Sequence, residues 1–120
     1  MKNAEGFWNK TQVEAFNSLK TIKAGSAYLV NMTASGTITV KGTAIKNPTL
    51  TVPTGKSGSV IMQGCPFSTA VDFVTAYAGG ISSIAYIKNF LGFWQDYGTS
   101  NSISSFEPGK GYYVKLKWYN

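Results

Sequence analysis

The sequence predicts a mainly β, β-sandwich-like domain with one short helix, on three observations. Segments such as "TITVK" (37–41), "TLTVP" (49–53) and "GYYVKLKW" (111–118) alternate in the period of a strand with one wetted face. Only 13% of the residues are charged while 43% are hydrophobic, and Ser, Thr, Asn and Gly fill the polar positions. The phrase "IKAGSAYLV" (22–30) returns as "FEPGKGYYV" (106–114). A chain of 120 residues suits one domain with one core, spanning residues 1–120.

The repeated phrase is part of a longer match. With Gly25 set against Gly109, Asn17-Ser18-Leu19 faces Asn101-Ser102-Ile103, Ile22 faces Phe106, Tyr28 faces Tyr112 and Val30 faces Val114. "GFW" stands at 6–8 and again at 92–94, two residues out of register, which a small loop difference accommodates. Residues 6–30 and 92–114 therefore read as two copies of one aromatic hairpin unit. In each, Gly-Phe-Trp opens a short strand, a polar loop follows, and Leu19 or Ile103 anchors the return. A tight turn comes next. Glu107-Pro108-Gly109-Lys110 places Pro and Gly for a type II turn, and the first copy keeps the Gly but has Ala24 for Pro108. In the extended stretch that ends each unit, Tyr112 and Val114 are expected to face the core, as Tyr28 and Val30 would in the first copy, which turns Tyr113 outward.

Between the units, residues 37–41 are expected to pair back onto 27–32 through the turn at 33–36, and residues 49–53 to form a strand ended by Pro53. "PTGKSGS" (53–59) resembles a phosphate-binding loop only superficially. Leu50 stands where the first Gly must be, and "VIMQ" continues as a strand rather than a helix. Residues 68–80 are the helix candidate: Thr69 as cap, Asp72 three residues on, a stripe of Val71, Val74 and Ala78, and Gly79-Gly80 as the stop. Residues 81–88 then return as a strand, and "NFLG" turns the chain into the second unit. The two units either pair in one pseudo-symmetric sandwich or leave one to meet a neighbouring subunit.

Composition narrows the function. All eleven positive residues are Lys, and the net charge is +6. Without Arg forks, specific reading of bases or phosphates is not expected, and scattered Lys serves solubility and edge protection. A lone Cys65 and no His exclude an intramolecular disulfide and a zinc site, and Cys65 reads as a small buried hydrophobe. No cofactor is expected. The five carboxylates, Glu5, Glu14, Asp72, Asp96 and Glu107, form no catalytic spacing, so the chain is read as a non-enzyme. The N-terminus has no apolar run behind Lys2, hence no signal peptide is expected, and no stretch reaches membrane-span length.

The order "GSVIMQGCPF", a Ser/Thr-started helix, "GFWQDY", then "SISSFEPGKGYYVKL" resembles modules of large β-rich bacterial surface and secreted proteins, and of phage fibre or capsid-decorating proteins. In those modules a "Gly-Trp-Asn" strand opens the unit and "GkGYwv" ends it. The resemblance covers residues 58–118, with a half copy at 6–30, and departs where "SGSVIM" replaces the Trp-Asn pair. It implies structure, display or adhesion on a virion, extracellular assembly or cell surface. Two functions follow as expectations. One is an assembly module, homo-oligomeric or scaffold-bound, with Trp118 and Tyr119 docking on a partner. The other is a carbohydrate-binding module stacking sugars on Trp8, Trp94, Tyr97, Tyr113 or Trp118. The competing role for Trp8 and Trp94 is as matched core anchors.

Overall fold

A computed structural model describes residues 1–3, 5–23, 25–37, 39, 50–53, 55–78, 80–95 and 101–118. The protein is mainly β, and the described residues form two antiparallel sheets and one short α-helix. Strands β1 (Val60–Gly64), β3 (Ile84–Lys88), β4 (Phe93–Gln95) and β6 (Gly111–Leu116) form a four-stranded sheet in the order β1-β6-β3-β4. Strands β2 (Val71–Asp72) and β5 (Ser105–Phe106) form a two-stranded ribbon, and helix α1 (Phe73–Ala76) follows β2 directly.

The core lies between the large sheet, the ribbon and α1. Burial alternates along β6, with Tyr112, Val114 and Leu116 inside and Tyr113 and Lys115 on the other face. Ile84, Ile87 and Trp94 join them from β3 and β4. Phe73 closes the core from above. Its ring meets Phe106 at 4.7 Å, Trp94 at 5.7 Å and Tyr112 at 5.9 Å, edge to face each time, the arrangement ring quadrupoles favour.

The helix is much shorter than the pattern over 68–80 predicts. Val71 and Asp72 are extended and pair with Phe106 and Ser105, and the Phe73 N–H donates to Ser104 O at 3.0 Å. β-branched Val71 suits that ribbon better than a helical turn. Neither Thr69 nor a side-chain cap starts the helix; Asp72 occupies the N-cap position without a capping bond. The buried face is Phe73, Ala76 and Tyr77, while Val74 is exposed. The stop falls at Ala78, left-handed at φ 44°. Residues 81–83 form a 3-10 turn, so the strand expected over 81–88 begins only at Ile84.

Leu50 to Pro53 pairs in no ladder among the described residues. Leu50 is buried, and its N–H donates to the Ala76 carbonyl at 3.3 Å, capping the helix end. The pairing expected of residues 37–41 falls largely outside the described residues. Residues 55–59 turn the chain into β1, with Gly55 and Gly58 at positive φ.

Candidate functional site

The two hairpin units share one hydrogen-bond pattern. Asn89 Oδ1 accepts from the N–H groups of Leu91 (2.9 Å) and Gly92 (3.0 Å); Asn3 Oδ1 accepts from Glu5 (2.9 Å) and Gly6 (3.1 Å). Ser102 Oγ accepts from Phe93 N–H at 2.9 Å, and Ser18 Oγ from Phe7 N–H at 3.0 Å. Asn101 Oδ1 accepts from Gln95 N–H and Asn17 Oδ1 from Asn9 N–H, both at 2.9 Å. The Glu107 N–H donates to Tyr112 Oη and the Lys23 N–H to Tyr28 Oη, again both at 2.9 Å. Gly25 and Gly109 share a φ of 81°, which a Cβ would strain. The two extra residues of the first unit fall between Asn9 and Asn17, where a 3-10 turn (Glu14–Phe16) wraps the buried Asn17. The Asn17 amide and then Lys20 hold the Glu14 carboxyl below its usual range.

The hydrogen bonds extend the match upstream of the glycine-aromatic phrase. Lys2-Asn3 takes the place of Lys88-Asn89, and Met1 pairs with Trp8 as Ile87 pairs with Trp94. The identical "KN" at 2–3 and 88–89 was the available signal.

Burial separates the units. Trp94 is 7% exposed and Trp8 38%; Phe106 is 0% and Ile22 50%; Val114 is 0% and Val30 47%. Met32, opposite number of buried Leu116, is exposed as well. Met1, Trp8, Leu19 and Ile22 line an open concavity of ≈ 220 Å³ on this face. The strand edge beside it is also open: Tyr28 and Val30 make no backbone hydrogen bond to any described residue. The matching edge of β6 pairs with β1, Tyr112 with Gln63 and Val114 with Ile61. The first unit is fastened at its turn to β1 and β6. The Gly64 N–H and Gln63 Nε2 both donate to Gly25 O, at 2.8 and 2.7 Å, and Ala27 sits on Gly111, where a Cβ would come within 2.8 Å of it.

Of the residues predicted for a site, Trp94 is a core residue, not a surface platform. Tyr113 is half-buried on the outer face of β6, beside Met62 and Tyr28. Trp118 lies across Gly58 and is otherwise exposed. Pro108, Gly109 and Tyr112 build the turn of the second unit, as Gly25 and Tyr28 do in the first; Tyr97 and Tyr119 lie outside the described residues. Among the described residues no three Cys, Asp or Glu side chains come together, and no helix is long and apolar enough to cross a membrane. Comparison with protein families, curated proteins and solved structures finds no match to this chain.

Proposed function

We propose that the protein is a non-enzymatic structural module that assembles with other protein subunits on a larger particle or surface, a virion or an extracellular assembly. One observation carries this reading: an aromatic-aliphatic face that the second unit buries is exposed on the first, beside a strand edge that no described residue pairs. Contiguous exposed apolar surface of this kind marks protein–protein contact. The carboxylates support a structural role. Glu5, Glu14 and Glu107 pair with Lys23, Lys20 and Lys110, and Asp72 stands at a helix start.

Light scattering over a wide concentration range tests it. The molar mass is expected to rise with concentration, and Ile22→Lys to reverse that rise. A monomer at every concentration would turn attention to the second reading, a carbohydrate-binding module. That reading draws on Trp8 and Trp118, whose rings reach solvent, and it requires Trp fluorescence to change with added sugars.

A further inference from the structure

The second unit displays what belongs on the face of the first. Its cover is residues 60–86: β1 pairs the Tyr112–Val114 edge, β2 pairs Ser105–Phe106, and Phe73 of α1 inserts its ring between Trp94, Phe106 and Tyr112. Then β3 runs into Lys88. Each receiving group has its counterpart on the first unit. The edge of Tyr28 and Val30, unpaired among the described residues, corresponds to the edge β1 occupies. Thr21-Ile22 corresponds to β5. The concavity is lined by Trp8 and Ile22, the counterparts of Trp94 and Phe106, whose rings Phe73 meets in the other unit. Met1 pairs with Trp8 as Ile87 of β3 pairs with Trp94.

Resting on the assembly reading, we infer that the first unit is completed by a strand–one-turn-helix–strand segment of the 60–86 kind, supplied by a neighbouring module of the same type. The docking combines strand addition to an open edge with an aromatic anchor in an apolar pocket. A second copy of this chain is a poor donor. Its own 60–86 segment is committed, with Phe73 and Ile84 fully buried, and lending it would open the second unit as it closed the first.

The test joins a duplicate of residues 60–86 in front of Met1, so that Met1 takes the place of Ile87. Trp8 emission is expected to shift to the blue, the urea midpoint to rise, and concentration-dependent association to disappear. The same chain carrying Phe73→Ala in the duplicate only is expected to lose much of the blue shift. If Trp8 stays solvent-exposed in the joined chain, while Ile22→Lys still abolishes association of the original chain, the inferred cover is wrong and the assembly reading stands. If Trp8 is covered but the original chain never associates, the cover stands and association through this face in the free chain falls. An unchanged emission together with a monomeric original chain overturns both.

Discussion

The two hairpin units are built alike and end up in opposite surroundings. Each uses an Asn to bend its strand turn, a Ser and an Asn to hold its loop, and a Tyr hydroxyl to seal its glycine turn. Yet Trp94, Phe106 and Val114 are core, whereas Trp8, Ile22 and Val30 face outward. Local hydrogen bonding therefore sets the shape of the unit, and burial depends on the segment laid over it. Short side chains and glycines can fix a conformation without a tertiary partner. An apolar face acquires its stabilisation only when something covers it.

Paired substitutions would break or sharpen this contrast. The largest effect is expected in the core. Trp94→Ala and Phe106→Ala should each lower stability by about 3–5 kcal/mol, as buried aromatics do. Trp8→Ala and Ile22→Ala should each cost under about 1 kcal/mol, because their surroundings already include water. Urea unfolding of the four variants measures the asymmetry; equal costs would mean that the first face is covered after all.

Turn substitutions should instead act alike. Gly109→Ala and Gly25→Ala each force an L-residue to a φ of 81°, a strain of about 1–2 kcal/mol that does not depend on cover. Amide exchange at Lys110 and at Ser26, the closing N–H of each turn, should quicken by similar factors. Protection lost in one turn only would show that the units are not held by the same local code.

The smallest effect concerns the cover itself. Tyr77 is buried, and its hydroxyl meets no partner among the described residues. Burial pushes its phenol well above the ordinary range, and desolvation moves Tyr112 the same way. Their folded-state values exceed the unfolded ones. Their contribution is thus intact below about pH 10 and is lost as pH rises beyond it. Urea midpoints should be level at about pH 8 to 9 and fall by about pH 11. Tyr77→Phe should leave stability at about pH 8 within about 1 kcal/mol of the parent, or raise it, and should flatten the alkaline decline.

The fold class and the two glycine turns were legible because their signals are short-range. A glycine at positive φ, a Pro-Gly turn and an alternating strand leave marks in a few adjacent letters. The ribbon of β2 and β5 was not. Val71-Asp72 lies within a stretch of helical spacing, and only its distant partner Ser105–Phe106 makes it extended. The candidate face was half legible. The letters that match Trp8 to Trp94 are the same in both units, so no local reading could tell the buried ring from the exposed one. That difference resides in Phe73, which is far from both in sequence.

The position of β6 has a consequence for the order of events. It is the last of the described strands in sequence, yet it lies between β1 and β3 in the sheet. During synthesis β1 and β3 leave the ribosome with no partner between them, and the sheet closes only after Leu116 has emerged. Such pairing between distant stretches is entropically slow to form. The nascent second unit therefore passes through a period in which Ile84, Ile87 and Phe73 are unsheltered, and its risk of misassociation is concentrated in the seconds before its final strand arrives.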